Sequence, residues 1–303
     1  MGKIKMSEQN YISVIENSMR FLDKALPLCN EALQAYPKSG HIHYLKALIL
    51  WKQYPTQTLQ NTSFTEHIQQ ALSLNPLDVQ AICLWAEFNE VLKNYDLALQ
   101  AYSQAITAKE KDPNLYYKRA FVYHLTENFQ EAIEDCTKAI TLAGKKVREI
   151  YYAQRGASKR ALQDIEGALQ DYQNAVSVNP GYAGGFLDMS QIYYSQKKYQ
   201  KALECANKAV EKAPNQPICY GIRADIKKAM NDLIGSLTDY QQVLFLNPKD
   251  TQIWKHIAYV QNLLLDQIPE GSSYLRVHLK SGHKAMLTHI NGQVVTFLEL
   301  PQK

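Results

Sequence analysis

Histidine and cysteine are the residues in this sequence that could bind a metal or act in catalysis, and their spacing favours neither role. His41 and His43 are two residues apart, so on a helix they would point to different sides. Three more histidines, His278, His283 and His289, cluster near the C-terminus, where a metal is conceivable but solvated strand positions explain them more simply. The five cysteines form no C-x-x-C pair. We therefore expect no metal site, no disulfide framework and no cofactor.

Motifs of catalysis and of other binding chemistries are also missing. The sequence has no Gly-rich phosphate loop, no H-E-x-x-H and no G-x-S-x-G, so we expect a protein that is not an enzyme. The formal charge of +4 is too mild and too dispersed to favour a nucleic-acid or membrane partner. With no secretory pattern and no apolar run near the ~20 residues of a membrane span, a cytoplasmic location is expected. Translocation into another cell stays open.

The elements that carry these residues are predicted to be helices. The 303 residues include 20 Tyr but only 13 Gly and 11 Pro. So few Gly and Pro residues favour long helices joined by short loops. Small residues recur along the chain with steps of 34, 36, 34, 34 and 34 residues: Ala86, Ala120, Gly156, Ser190, Ala224 and Ala258. Two further columns share these steps, one from Ala98 to Ser236 and one from Ala105 to Val243. Repeats of this period indicate a stacked array.

Each repeat contains two helices. Ala98, Tyr102 and Ala105 form an i, i+4, i+7 stripe on one helical face, and Ala168, Tyr172 and Ala175 repeat it. Small residues are needed where two helices approach closely. The columns therefore predict helix hairpins that pack tightly against each other.

This pattern resembles the tetratricopeptide repeat, a 34-residue helix-turn-helix with the signature W-x2-L-G-x2-Y, A-x3-F and a late Pro. The clearest copies are Arg119 to Tyr123 with Ala132 and Cys136, and Arg155-Gly156 with Ala168, Tyr172, Ala175 and Pro180. The resemblance implies an all-α fold, a right-handed α-solenoid. We expect it to span residues 6–267, as about seven units and a terminal helix, with degenerate units before residue 79 and inserted residues within 53–63 and 143–148.

Three pairs of opposite charge occupy the same two positions of the repeat: Arg119 with Asp135, Arg155 with Asp171, and Arg223 with Asp239. Two other units change both members together, to Trp85 with Ala101 and to Met189 with Cys205. Such joint change indicates contact, so we predict an ion pair packed inside each of the three hairpins.

The resemblance also implies a binding groove on the concave face, lined by the first helix of each unit. Its candidate residues are mostly aromatic: Tyr44, Trp51, Glu87, Tyr117, Phe121, His124, Arg160, Leu187, Gln191, Tyr194, Lys255 and Tyr259. Aromatic side chains on such a surface suit a peptide, although for any single tyrosine packing against the adjacent unit is as good an explanation. Family members that clamp acidic chaperone tails place Lys and Asn where this chain has Cys83 and Glu87, which argues against that ligand.

The C-terminal residues, 268–303, break the repeat. Leu275, Val277 and Leu279 alternate with polar residues, and Asn291-Gly292 is a strong hairpin turn signal. We predict a three-stranded β-meander at about 274–300. It is either a cap on the last helices or a docking segment that recruits a partner or a second copy by strand addition.

Three hypotheses about function follow. In the first, the chain is a non-enzymatic scaffold that binds a peptide or protein segment in its groove. In the second, it is a regulatory or targeting subunit, or a translocated bacterial effector, that acts through its convex face or its C-terminal β segment. A catalytic role for the C-terminal histidines is the third and weakest, because that segment is too small to build an active site.

Overall fold

The computed structural model describes residues 6–53, 62–265, 275–278, 284–290 and 293–298. Across these ranges, fifteen α-helices are followed by three β-strands. The helices are α1 (Glu8–Ser18), α2 (Leu22–Ala35), α3 (Gly40–Gln53), α4 (Thr62–Leu74), α5 (Val79–Val91), α6 (Tyr95–Ala108), α7 (Pro113–Leu125), α8 (Phe129–Ala143), α9 (Glu149–Ala161), α10 (Ile165–Val178), α11 (Ala183–Ser195), α12 (Tyr199–Lys212), α13 (Pro217–Ala229), α14 (Leu233–Leu246) and α15 (Ile253–Leu265). The strands are β1 (Leu275–His278), β2 (Lys284–Ile290) and β3 (Gln293–Leu298).

Consecutive helices pack as antiparallel hairpins, and the contacts divide the chain into two compact units. The first unit holds α1 to α8 and the end of α9, residues 157–162. The second holds the start of α9, residues 148–156, with α10 to α15 and the strands. One expected insertion forms a single 3-10 turn at Gly144–Lys146. The other falls between α3 and α4, where residues 54–61 lie outside the described ranges.

The three small-residue columns lie at the helix contacts, as predicted. Ala86, Ala120 and Ala224 are fully buried in first helices, and the column from Ala98 to Ser236 is fully buried in second helices. Gly156 shows why these residues are small. A Cβ atom added there would lie 3.1 Å from the Tyr172 ring and 3.2 Å from the Ala168 carbonyl oxygen. The crossing of the two helices therefore leaves no room for a larger side chain.

The turns inside the five hairpins from α5–α6 to α13–α14 each use one left-handed residue. Five residues other than glycine have φ near +60°: Lys93, Glu127, Gln163, Lys197 and Asn231. Their spacing repeats the steps of the small columns, so the same turn is built five times. Only Asn231 is of a type that favours this conformation, so the other four turns carry backbone strain.

The three predicted ion pairs are present, and each is bidentate. In the first, Arg119 Nε donates to Asp135 Oδ2 at 2.7 Å and Nη2 donates to Oδ1 at 2.8 Å. Arg155 binds Asp171, and Arg223 binds Asp239, in the same geometry. The three aspartate side chains are 1–9% exposed, so the pairs lie inside the hairpins. Met189 and Cys205, which replace such a pair, share one apolar cluster.

The C-terminal strands form the predicted antiparallel meander in the order β1-β2-β3. β3 packs on the last helices, because Val295 and Phe297 are buried in one cluster with Tyr240 and Ile257. Gln241 Nε2 of α14 also donates to the Thr296 carbonyl oxygen at 2.7 Å. The side chains of His278, His283 and His289 lie outside the described residues, so the suggested metal role of these histidines is not tested.

Candidate functional site

First helices of neighbouring hairpins enclose clefts, and we call the surface that they form within each unit the first-helix face. In the first unit a cleft of about 440 Å³ lies among α3, α5 and α7, with Tyr44, Cys83, Glu87 and Lys118 in its wall. A second cleft, of about 210 Å³, lies between α5 and α7. Its lining consists of Glu87, Glu90, Tyr102, Tyr117, Lys118 and Phe121. Three of the predicted groove residues, Glu87, Tyr117 and Phe121, therefore surround one cavity.

An ion pair between two hairpins borders both clefts. Lys118 Nζ of α7 donates to Glu87 Oε1 of α5, and each side chain is between one third and two fifths exposed. Burial lowers the pKa of Lys118, but the hydrogen bond and the charge of Glu87 outweigh that effect and raise the pKa overall. The Lys118 ammonium group is therefore charged at neutral pH, and it lines both clefts together with Glu87.

Glu90 forms the polar floor of the smaller cleft. It accepts a hydrogen bond from the hydroxyl of Tyr102, whose ring is 1% exposed in the second helix of the same hairpin. Burial raises the pKa of Glu90, and the Tyr102 hydrogen bond opposes the shift. Because Tyr102 is locked by packing, it fixes the position of the carboxylate above it.

His124 and Arg160 lie at the far end of this unit. His124 Nδ1 is 3.0 Å from Ser158 Oγ, and its ring packs edge-on against Phe129 with centroids 5.3 Å apart. Burial, followed by the nearby charge of Arg160, lowers the pKa of His124. The imidazole is therefore neutral at neutral pH, and Arg160 is half-exposed, but neither residue lines one of the two clefts of this unit.

Tyr44 and Trp51 take part mainly in packing. Tyr44 is only 9% exposed, and burial raises its pKa to about 12. Trp51 contacts Phe64 and Phe88, with ring centroids 5.7 and 6.0 Å apart. Tyr44 also lines the larger cleft, whereas Trp51 packs against the hydrophobic core of the first hairpins.

The second unit has a separate cleft, of about 370 Å³, between α11 and α13. Ile222 and Ile226 form its apolar floor, and Gln191, Tyr194 and Asp225 form its polar rim. Tyr194 is 38% exposed and packs against Tyr199 with centroids 5.7 Å apart. Leu187 lies one helical turn before Gln191 on α11 and is half-buried.

A charged and aromatic cluster lies beside this cleft. Lys228 Nζ donates to Asp225 Oδ1 at 2.8 Å and to the Tyr240 hydroxyl at 3.0 Å, and it lies 5.9 Å from the centre of the Tyr259 ring. Although burial opposes the shift, these hydrogen bonds raise the pKa of Lys228. Tyr259 is 57% exposed, and Lys255 is exposed one turn earlier on α15. Both predicted residues of α15 therefore offer exposed surface.

Sequence reasoning missed a histidine pair in the second hairpin. His43 Nδ1 lies 2.9 Å from His67 Nδ1, and His43 Nε2 lies 3.0 Å from the Pro37 carbonyl oxygen. Burial, Lys46 and His43 lower the pKa of His67 to about 4. His41 instead contacts Glu16, as expected for residues on different sides of the helix. Among the residues that the structure describes, no cluster of three metal-binding side chains occurs, and no helix is long and apolar enough to cross a membrane.

Repeated helix hairpins with clefts along their first helices define the chain as a protein of the α-solenoid class. Family models described as tetratricopeptide repeats match residues 159–226 and 113–146, and one described as a TPR repeat matches residues 92–126. A tetratricopeptide repeat protein from Parabacteroides merdae has the same fold, with a TM-score of 0.64, 18% identity, and coverage of 84% of this chain and all of that one. Residues 92–146 and 159–226 of the chain are therefore tetratricopeptide repeats.

Two curated relatives illustrate how far the similarity extends. A DnaJ homolog subfamily C member 7 homolog from Dictyostelium discoideum is 24% identical over 94% of this chain and 56% of its own length. Human serine/threonine-protein phosphatase 5 is 38% identical over 29% of this chain, but over only 17% of its own length. The chain thus spans about half or less of these relatives.

Proposed function

We propose that the protein is a non-enzymatic interaction scaffold that binds a peptide or protein segment on its first-helix face. The repeat fold is commonly a protein-interaction scaffold. The observation that carries the proposal is the pair of clefts with partly exposed aromatic rims, Phe121 at 38% and Tyr194 at 38% exposure. Exposed aromatic side chains beside a cavity supply large contact area at low entropic cost.

The remaining predicted residues fit this role in different ways. Glu87, His124, Arg160, Gln191 and Lys255 supply charged or polar groups along the face, and Leu187 and Tyr259 add apolar contact. Tyr44 lines the larger cleft, and Trp51 packs in the cluster behind it. An acidic-tail clamp of the chaperone type is not supported, because Glu87 stands beside Lys118 and would repel a second carboxylate.

The first experiment compares partners recovered with three forms of the full chain. Wild type, Tyr117→Ala/Phe121→Ala and the control Phe245→Ala are each expressed in the source cells and purified with a mild cross-linker. Phe245 is 73% exposed on the second helix α14, away from the clefts. We expect the double variant to lose at least one partner that the control keeps. A partner set that is identical in all three forms contradicts binding on the first-helix face of the first unit.

A second candidate rests on Phe245 itself. Its ring is 73% exposed on a second helix, and the competing proposal is that a partner docks on the second helices. In that case Phe245→Ala, and not the double variant, should remove the partner from the recovered set.

The C-terminal meander is proposed to be a cap. Val295 and Phe297 are 2% and 4% exposed and belong to the core of α13 to α15, which supports a structural role. Self-association through the strands remains the competing proposal, and the deletion of residues 272–303 separates the two. A cap's loss lowers the melting temperature, whereas the loss of a docking strand leaves it unchanged and removes an interaction.

A further inference from the structure

The small cleft between α5 and α7 carries a net charge that the larger one lacks. Two acidic side chains, Glu87 and Glu90, face one basic side chain, Lys118, so the lining of the cleft has one formal negative charge in excess. In the larger cleft, Glu87 and Asp112 are balanced by Lys109 and Lys118. The smaller cleft is therefore the one that would attract a cation.

The walls of this cleft are also suited to a cation. Tyr117 and Phe121 provide two partly exposed aromatic rings beside the two carboxylates, and a positive charge near such rings gains cation-π energy. Its volume, about 210 Å³, is below the roughly 300–1,000 Å³ of pockets that hold small-molecule ligands. One side chain of a longer partner is thus a better match than a free metabolite.

Resting on the proposed function, we infer that this cleft binds an arginine side chain of the partner segment. The guanidinium would approach Glu90 on the floor and Glu87 on the rim, with its planar face against Phe121 or Tyr117. Arginine is favoured over lysine because a planar fork can donate to two carboxylates and stack on a ring at the same time.

Lys118 has a defined part in this scheme. Without a partner, Lys118 supplies the counter-charge for the Glu87 carboxylate on the rim of the cleft. An incoming guanidinium shares Glu87 with Lys118 or displaces its ammonium group toward the larger cleft, which also borders it. In either case the guanidinium is attracted by the excess negative charge of the cleft, so the interaction weakens as the salt concentration rises.

The test is a selection from a random peptide library displayed on phage, against immobilised full-length protein. Parallel selections use wild type, Glu87→Gln/Glu90→Gln and the control Glu131→Gln, which removes a charge from an exposed site on α8. The glutamine side chains keep the size of the originals and can still accept the Tyr102 hydrogen bond. Thermal melting confirms that each variant is folded.

We expect wild type and control to select peptides with arginine at one fixed position, and the double variant to lose that preference. For one selected peptide, replacing that arginine by glutamine should weaken binding to wild type by about tenfold and to the double variant by less than about twofold, as measured by fluorescence anisotropy. Lysine in its place should be intermediate.

Two other results overturn the inference and are distinguishable from each other. Peptides that depend on Tyr117 and Phe121 but show no basic position, or an acidic one, contradict the arginine pocket and leave the scaffold function intact. If no selected peptide loses binding in Tyr117→Ala/Phe121→Ala, the first-helix face of the first unit is not the binding surface, and the proposed function fails for that unit together with this inference.

Discussion

Replacing Asp135 by alanine should destabilise the protein far more than replacing the whole ion pair. Asp135 accepts two hydrogen bonds from Arg119, and its side chain is 9% exposed. The single substitution leaves the guanidinium in the hairpin without its carboxylate. The matched double variant, Arg119→Met/Asp135→Cys, copies a solution that the chain already uses, since Met189 and Cys205 occupy the corresponding positions.

The size of the effect follows from the surroundings of Arg119. Removing one member of a buried pair typically costs about 3–5 kcal/mol. Here the arginine side chain is 20% exposed, keeps a 3.0 Å hydrogen bond to Ser103 Oγ and lies over the rings of Tyr116 and Tyr123. These contacts relieve part of the loss, so we expect about 3 kcal/mol for Asp135→Ala. The double variant should lose about 1 kcal/mol, because sulfur and methylene groups fill most of the space.

Urea unfolding followed by far-ultraviolet circular dichroism measures these free energies of unfolding. Wild type, Arg119→Met, Asp135→Cys and the double variant complete a thermodynamic cycle, and its coupling energy should be at least about 2 kcal/mol. If the loss in the double variant equals the sum of the two single losses within about 0.5 kcal/mol, the pair contributes no coupling. That result would refute the explanation given for the joint change of these positions.

Three further predictions concern pH, turns and the C-terminal strands. His67, with a native pKa of about 4 against 6.5 in the unfolded chain, binds its proton first in the unfolded state, so stability should fall as the pH drops from about 6.5 to 4. Because about half of the ring stays in water, the free energy of unfolding of wild type should fall by about 1 kcal/mol more than that of His67→Gln between pH 7 and pH 5. An equal fall in the two proteins, measured by thermal melting at both pH values, would contradict this. At the strained turn after α7, Glu127→Asn should raise the free energy of unfolding by about 0.5–1 kcal/mol. The control Glu131→Asn, within α8, should lower it. If both variants change the free energy of unfolding equally, the positive φ of residue 127 is not the cause. Phe297→Ala should lower stability by about 3 kcal/mol if β3 is a cap, and an unchanged melting temperature would contradict that role.

Much of the fold could be predicted because the repeats within this sequence can be compared with one another. Repeated copies of one hairpin reveal which positions must be small, and Gly156 shows the close approach that enforces this. The Arg119–Asp135 contact was predictable because two other copies replace both members together. The meander was predictable from local signals, alternation and the Asn291-Gly292 turn, which depend little on distant parts of the chain.

The candidate site was harder to predict from the sequence, because it depends on contacts between different repeats. Glu87 and Lys118 are separated by slightly less than one full period, and a search for opposite charges at that spacing would have found them. The Tyr102–Glu90 contact has the same sequence separation as the Tyr240–Lys228 contact, so this signal also existed. Repeat position alone could not show that Tyr44 is buried and Tyr259 exposed, because the exposure of each ring depends on which side chains of the neighbouring hairpin pack against it.

The location of the Arg–Asp pairs within single hairpins has a consequence for how such chains lengthen and shorten. Both members lie in one short stretch of the chain, so a gene duplication or deletion of a whole repeat carries the two codons together. A recombination event with its breakpoint inside the hairpin would instead join an arginine copy to a cysteine copy. Selection against that unmatched charge would confine viable breakpoints to the connections between hairpins.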